Sequence, residues 1–276
     1  PESELRKVAG ELRSRKIPAD GLWLDIDYMD GFRSFTWSPT AFPNPKAMLT
    51  DLEQQGFKTT VIIDPGIKHD PNGSYATYNT GAAGGHFVKD AAGQTFIGQV
   101  WPGDAVFPDF TRPATRSWWA QEVQGLTAVG VRGVWIDMNE PTTWKPKTGF
   151  PLDSRWDGEG TQTDHREAHN VYALLMAKAT REGLAQGAPN RRPFVLTRAG
   201  FAGIQRYAAV WTGDQESTWG HLAMAPAMLA NMGLSGIVFA GTDVGGYSGN
   251  PGGELYARWI ALGSLSTFFR THVQTN

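Results

Sequence analysis

Apolar and polar residues follow two alternating patterns along the chain. Leu5, Val8, Ala9 and Leu12 recur at helical spacing and predict a helix over residues 3–16. The same criterion predicts helices at 45–57, 112–130, 164–187, 217–232 and 253–264. Between the helices stand short segments that are apolar along most of their length: GLWLDIDYM, KTTVIIDPG, VRGVWIDMNEP, RPFVLTRAG, AAVWTGDQ, SGIVFAGTDVGG and STFFRTH. We interpret them as about seven buried strands.

Strands that alternate with helices and are apolar throughout are typical of a parallel sheet covered by helices, an α/β fold. Polar residues collect where strand after strand ends: Asp25, Asp27, Asp64, Asp137, Arg198, Asp214, Asp243 and His272. A (β/α)8 TIM barrel carries its active site at that face, whereas an open sheet would place such residues near one switch point. We therefore predict a (β/α)8 barrel. Because about seven strands are visible and the chain opens with a helix, we expect its first strand to lie upstream of Pro1.

Residues 67–109 form a long stretch rich in Gly, Asn, Asp and aromatic residues. The stretch follows a predicted strand end, so we expect an irregular excursion that covers the active-site face, with Trp101 directed towards Asp137. The remaining elements predict one catalytic barrel domain over residues 1–276.

Composition excludes several classes of function. Lys plus Arg number 25 and Asp plus Glu 27, and a net charge of -2 gives no reason to expect a nucleic-acid partner. No apolar run is long enough to span a membrane. Cysteine is absent, so disulfides and thiolate chemistry are excluded. None of this fixes the compartment, although the cytoplasm is slightly favoured, and the oligomeric state is not indicated.

A rim rich in carboxylates is also compatible with metal catalysis. His165 and His169 stand four apart on one predicted helix, as two zinc ligands could. The helix lacks the HExxH pattern, however, so we interpret the pair as a helix face near the barrel rim and predict neither a metal nor a cofactor.

The acids at the rim favour carbohydrate chemistry. Asp137 and Asp214 each follow a tryptophan closely, in WIDM and WTGD, and two carboxylates facing a Trp-lined cleft suit glycoside hydrolysis. Asp64, followed by Pro-Gly, is interpreted as a cap or loop anchor, and Glu140 as a hydrogen-bond partner at the rim. The sequence alone does not give the separation of the two carboxylates, which would distinguish retention from inversion.

Seven segments together resemble glycoside hydrolase family 31, the family of α-glucosidases and α-xylosidases. They occur in the family's order over residues 3–272: LWLDIDYMDGFRSFTW, VIIDPGI, VWPGDAVFPDF, GVWIDMNEP, TRAGFAGIQRYAAVWTGD, GTDVGGY and FFRTH. The resemblance implies that Asp137 is the nucleophile and Asp214 the general acid/base of a retaining mechanism. It also implies substrate-binding roles for Asp25, Ile26, Trp101, Trp135, Met138, Arg198, Trp211, Tyr247 and His272. Tyr247 stands where Phe is common in the family, and Gln215 where its glucosidases usually have Asn.

The implied activity is release of terminal α-linked glucose from oligosaccharides through a covalent glycosyl-enzyme. An α-xylosidase or a transglucosidase of the same family is the alternative within this class. A catalytically impaired carbohydrate-binding fragment is the alternative outside it, because family members carry β domains before and after the barrel and none is predicted here. The linkage and chain-length preferences stay open.

Overall fold

The computed structural model describes residues 1–274, which contain seven helices and eleven short strands. The helices are α1 (Glu2–Ser14), α2 (Pro45–Gln54), α3 (Ala76–Ala83), α4 (Pro113–Val129), α5 (His165–Gly187), α6 (Trp219–Leu234) and α7 (Gly253–Ser264). The strands are β1 (Gly21–Leu24), β2 (Lys58–Ile63), β3 (Ile67–Lys68), β4 (Gly98–Val100), β5 (Gly103–Val106), β6 (Gly133–Ile136), β7 (Arg155–Trp156), β8 (Thr163–Asp164), β9 (Val195–Thr197), β10 (Ala209–Trp211) and β11 (Ala240–Gly241). No helix within residues 1–274 combines the length and the apolar character that a membrane crossing requires.

Six strands form one parallel sheet in the order β1-β2-β6-β9-β10-β11. Residues 268–270 continue it beyond β11: the Phe268 N–H donates to the Ala240 carbonyl at 3.2 Å, and Arg270 forms a parallel bridge with Asp243. The sheet is curled, so that its two ends meet: the Trp23 ring of β1 contacts the Phe268 ring edge-on, with centroids 5.8 Å apart. The predicted parallel barrel of about seven strands is thus confirmed, and residues 1–274 contain no eighth parallel strand.

Local sequence explains where the helices begin and end. Asn44 caps α2 by accepting a hydrogen bond from the Ala47 N–H, and Pro45 occupies the first helical position, where its missing N–H costs nothing. Gly130 ends α4 with φ +118°, a conformation that a residue with a side chain rarely adopts. The observed bounds of the predicted helices lie within three residues of expectation.

Residues 67–109 differ from the irregular excursion predicted for them. The short strands β3, β5 and β4 form an antiparallel sheet, and α3 lies between β3 and β4. Ile67, Val88, Val106 and Phe107 are fully buried. The prediction of an irregular stretch was wrong because strands of two to four residues are too short to show an alternating pattern. The segment is a folded part of the core that carries Trp101 on the hairpin between β4 and β5.

Candidate active site

The polar residues predicted at strand ends share one face of the sheet. Asp25 follows β1, Asp137 follows β6, Arg198 follows β9 and Asp214 comes three residues after β10. Because the strands are parallel, their carboxyl ends lie at the same face, where a barrel carries its active site. The sequence-based prediction that these residues share a rim is confirmed by this arrangement.

Asp137 lies at the floor of the site with a side chain that is 13% exposed. Its Oδ1 accepts a hydrogen bond from the Met138 N–H at 2.7 Å and lies 3.1 Å from Nε of Arg198. Burial raises the pKa of Asp137 to about 6, although Arg198 and the Met138 N–H favour the ionised form. Asp137 is therefore predominantly a carboxylate at neutral pH. Met138 has a positive φ of 52°, in the left-handed region that a residue with a side chain rarely adopts.

Arg198 connects Asp137 to Glu140. Its Nε donates to Glu140 Oε1 and its Nη2 to Oε2, both at 2.8 Å, and Nη2 also lies 3.3 Å from Sδ of Met138. Burial alone would raise the pKa of Glu140, but the hydrogen bonds and charge of Arg198 outweigh it, so this pKa is lowered. The guanidinium pKa of Arg198 is raised despite burial, because Glu140 and Asp137 stabilise its charge. The sequence-based interpretation of Glu140 as a hydrogen-bonding residue agrees with this contact.

Trp135 and Trp211 form the apolar floor of the site, and each precedes one of the two predicted catalytic acids in the sequence. Both side chains are buried, and their rings meet edge-on with centroids 5.6 Å apart. Trp135 is two residues before Asp137, and Trp211 is three before Asp214. Such large apolar surfaces exclude water from the base of the site.

Asp214 lies at the exposed rim of the site. Burial is the main reason why the pKa values of Asp137, Asp25 and Asp243 are raised, and the nearby charge of Asp214 adds to it. The neighbouring Gln215 is buried, and its amide nitrogen faces Sδ of Met228 at 3.8 Å. The side chain of Gln215 thus packs towards α6.

Asp25, His272 and Tyr247 form one wall of the site. Nε2 of His272 lies 3.4 Å from Oδ2 of Asp25, and the imidazole stacks on the Tyr247 ring at 5.4 Å between centroids. Burial lowers the pKa of His272 to about 3, with the charge of Arg270 adding to the effect, so the imidazole is neutral. Burial raises the pKa of Asp25, and its Oδ1 accepts from the N–H of the half-buried Ile26 at 2.7 Å.

Trp101 stands at the mouth of the site. Its ring meets Trp144 edge-on at 4.8 Å and lies 6.4 Å from Phe32. Trp144 belongs to the segment after β6, and Phe32 to the segment after β1, so this aromatic cluster lies at the strand-end face. Trp101 and Trp144 remain 43% and 45% exposed. Trp144 and Phe32 were not predicted as site residues, since an aromatic residue in a loop carries no periodic pattern.

Three further residues were not assigned to the site from the sequence, or were assigned another role. Asp243 and Arg270 form a fully buried ion pair, with Nη2 2.5 Å from Oδ1. Asp64 is buried, and its Oδ1 has no hydrogen-bond partner among the described residues. Burial, followed by the charge of Asp137, raises the pKa of Asp64 well above its usual value. The interpretation of the Asp64 side chain as a cap was therefore wrong; the pairing of β2 with β6 places this buried acid beside Asp137.

His165 and His169, whose spacing could suit two zinc ligands, lie in the first two turns of α5. The His165 ring packs against Phe150 and Trp156, with centroids 5.3 and 5.6 Å away, and lies edge-on to His169. Burial lowers the pKa of His165 to about 4. Within residues 1–274, no three His, Asp or Glu side chains are arranged to hold a metal ion. His165 packs as an aromatic residue.

Comparison with known proteins defines the family. The family model of the glycosyl hydrolases family 31 TIM-barrel domain matches residues 1–276. The chain belongs to this family. It is 45% identical over 271 residues to alpha-glucosidase 2 of Bacillus thermoamyloliquefaciens, covering 98% of the chain and 34% of that protein. It is 40% identical to human neutral alpha-glucosidase AB, covering 98% of the chain and 29% of the relative.

Solved structures give the same result. The family 31 alpha-glucosidase from Bacteroides thetaiotaomicron matches with a TM-score of 0.86 and 44% identity, over 100% of this chain and 44% of that one. The glucosidase II alpha subunit, in an alpha3-Glc2-bound form, matches with a TM-score of 0.92 and 36% identity, over 99% of this chain and 30% of that one. The chain thus spans about a third of the length of the curated relatives it matches.

Proposed function

We propose that the polypeptide carrying this chain is a retaining glycoside hydrolase that removes terminal α-linked glucose from oligosaccharides. The observation that carries the proposal is the placement of Asp137 and Asp214 after parallel strands of one sheet, above the Trp135–Trp211 floor. The relatives named above, which are called alpha-glucosidases, favour glucose as the sugar. Residues 1–276 would form the catalytic barrel of such an enzyme.

In the first step, Asp137 attacks the anomeric carbon while Asp214 protonates the departing glycosidic oxygen. Arg198 and the Met138 N–H both contact Oδ1 of Asp137, so Oδ2 is the oxygen directed at the sugar. The bond from the anomeric carbon to the leaving oxygen breaks as the bond to Asp137 forms. The exposed position of Asp214 suits an acid that must reach a leaving group at the mouth of the site.

In the second step, Asp214, now ionised, takes a proton from water, which attacks the same anomeric carbon. The ester bond to Asp137 breaks, and glucose leaves with its original α configuration. Two displacements at one carbon give net retention. Burial beside Trp135 protects the covalent intermediate from water that arrives by any route other than the rim.

The remaining side chains would hold the sugar. The carboxylate of Asp25 accepts hydrogen bonds from hydroxyls, and the neutral imidazole of His272 can both donate and accept. Arg198 is a donor, while Met138, Trp211 and Ile26 supply apolar contacts. Trp101 and Trp144 offer exposed aromatic faces on which a further sugar unit can stack. The expected partner is an α-linked oligosaccharide.

A panel of p-nitrophenyl glycosides tests the proposal in the complete polypeptide. We expect turnover of the α-glucoside to exceed that of the α-xyloside and α-galactoside by at least tenfold. Asp137→Ala is the matched negative control. Preferred turnover of the α-xyloside would make the enzyme an α-xylosidase, and product elongation in concentrated maltose would indicate a transglucosidase. Sugar binding without any turnover would replace the proposal with a carbohydrate-binding role.

A further inference from the structure

The ion pair between Arg270 and Asp243 lies at the centre of the barrel beneath the site. Both side chains are 0% exposed. The guanidinium carbon of Arg270 lies 4.5 Å from the ring centroid of Trp135, 5.1 Å from that of Trp23 and 5.3 Å from that of Trp211. The cation is therefore enclosed by aromatic rings as well as by its acid.

Stability alone does not explain this pair. Nε and Nη1 of Arg270 and Oδ2 of Asp243 have no hydrogen-bond partner among the described residues. Replacement of a buried ion pair by packed apolar side chains is often neutral or stabilising, because the charges lose their hydration. A barrel core needs only apolar residues here, so the pair calls for a reason connected with the site above it.

The reason lies in the two strand ends that the pair joins. Asp243 follows β11 and precedes Tyr247 by four residues, while Arg270 precedes His272 by two. The Val244 N–H donates to the Arg270 carbonyl at 2.9 Å, and the Gln274 N–H donates to the Tyr247 carbonyl at 2.9 Å. The pair thus lies at the base of the two segments that bring Tyr247 and His272 into their stack.

Arg270 also acts on His272 through Trp135. The Trp135 ring, against which Arg270 packs, meets the His272 imidazole edge-on with centroids 5.0 Å apart. The imidazole also stacks on the Tyr247 ring, and its Nε2 faces Asp25. His272 is consequently fixed from below by groups that Arg270 holds in place.

We propose that Arg270 and Asp243 are positioning residues, which fix Tyr247 and His272 beside Asp25 in one wall so that the site recognises individual sugar hydroxyls. The inference rests on the proposed glycosidase function. Neither residue touches the substrate. Their contribution is to hold the side chains of Tyr247 and His272 in one arrangement, so that the wall presents a single pattern of hydrogen-bond donors and acceptors.

The test replaces the pair by apolar residues in the complete polypeptide, as Asp243→Leu with Arg270→Met. The readout is kcat/KM for p-nitrophenyl α-glucoside divided by kcat/KM for each of its 2-, 3-, 4- and 6-monodeoxy analogues. This ratio does not depend on the fraction of folded enzyme, because the same molecules cleave both substrates. For at least one hydroxyl we expect the ratio to fall tenfold or more, while Tm stays within a few degrees.

Two single variants complete the experiment. Arg116 is also buried, and its guanidinium bonds to the Phe110 and Thr111 carbonyls, so Arg116→Met controls for the loss of a buried cation and should leave every ratio unchanged. Arg270→Lys keeps the charge but not the planar fork, and we expect a smaller fall. If the double variant does not fold, the Arg270→Lys ratios decide.

Ratios within twofold of wild type for all four hydroxyls, in the double variant or in Arg270→Lys, would overturn the inference and leave the pair a structural role. A wild-type enzyme that cleaves none of these glycosides would instead overturn the proposed function. In that event the same ratios are measured as Kd values for glucose and its monodeoxy analogues by ligand-observed NMR. An unchanged Kd ratio would contradict the positioning role independently of turnover.

Discussion

Arg198 contacts Asp137 and Glu140 at once: its Nε lies 3.1 Å from Oδ1 of Asp137 and 2.8 Å from Oε1 of Glu140. The fork-like contact with Glu140 is bidentate, whereas the contact with Asp137 uses one nitrogen. Glu140 thus takes most of the hydrogen-bonding capacity of the guanidinium. In the proposed mechanism, this sharing leaves Asp137 ionised at neutral pH but still basic enough to attack.

Removal of the Glu140 charge should therefore shift the titration of Asp137. In Glu140→Gln, Arg198 is free to pair with Asp137 alone, and one negative neighbour disappears, so the pKa of Asp137 falls. We expect the acid limb of the kcat/KM profile to move to lower pH and kcat to drop about tenfold, because a better stabilised carboxylate is a weaker nucleophile. The control is Glu122→Gln, because Glu122 is a part-buried acid that accepts hydrogen bonds from the Thr77 and Thr80 hydroxyls. An acid limb at its original pH would contradict the shared role of Arg198.

The pH dependence of the wild-type activity gives a second prediction. Burial raises the pKa of Asp137 to about 6, and the proposed attack requires the carboxylate. Activity should therefore be full above this pKa and be lost as the pH falls through about 6. The measurement is kcat/KM for p-nitrophenyl α-glucoside between pH 4 and 8. A limb near pH 4 would mean that Asp137 is more exposed to water than the structure has it.

Asp137 should also destabilise the folded enzyme. Its pKa rises from an ordinary 3.8 to about 6 on folding, so the folded state disfavours the ionised form by about 3 kcal/mol. The penalty is absent only well below pH 3.8, where both states are protonated; it grows as the pH rises from about 4 to 6 and is complete above about pH 7. We expect Asp137→Asn to raise Tm by several degrees at pH 8 and to change it far less at pH 4. An equal change at both pH values would point to packing rather than charge.

The exposed aromatic pair at the rim should contribute to binding beyond the first sugar. Removal of the Trp144 ring in Trp144→Ala takes away a stacking face worth about 1 kcal/mol, which is roughly a fivefold change. We expect kcat/KM for maltotriose to fall by about this factor relative to p-nitrophenyl α-glucoside. The control is Leu265→Ala, which removes an exposed apolar side chain after α7, at the opposite end of the barrel. Equal losses on both substrates would show that Trp144 does not contact the outer sugar.

The strand ends were predictable because an apolar run that stops at an acid or base indicates a buried strand that ends at a polar surface. VWID and AVWTGD each place a buried strand directly before a polar residue, and the structure has β6 and β10 at these positions. The helix from 253 to 264 was predicted with its observed bounds, since its apolar residues keep a regular spacing.

What could not be predicted depends on contacts between distant segments. Arg270 lies in FFRTH, where nothing local indicates that its side chain turns inward to Asp243, 27 residues earlier. Asp64 looked like a loop anchor because Pro-Gly follows it, but its burial close to Asp137 is a consequence of strand pairing between β2 and β6. The small sheet within residues 67–109 was missed because its strands are too short to show a pattern and because their pairing partners are up to about 40 residues apart.

The central claim is that Asp137 attacks the sugar and Asp214 transfers the protons. In the complete enzyme, Asp137→Ala should be nearly inactive on every substrate, because no nucleophile remains whatever the leaving group. Asp214→Ala should lose orders of magnitude on maltose, whose leaving alkoxide needs a proton. It should lose far less in the first step on 2,4-dinitrophenyl α-glucoside, whose phenolate leaves unaided.

The most direct measurement is the time course of phenolate release from 2,4-dinitrophenyl α-glucoside by the two variants, with and without sodium azide. The account predicts a burst and then slow turnover for Asp214→Ala, because the second step lacks its base. Azide should accelerate that slow phase and give an α-glucosyl azide. Azide rescue of Asp137→Ala with a product of inverted configuration, and no rescue of Asp214→Ala, would contradict the assignment and reverse the two roles.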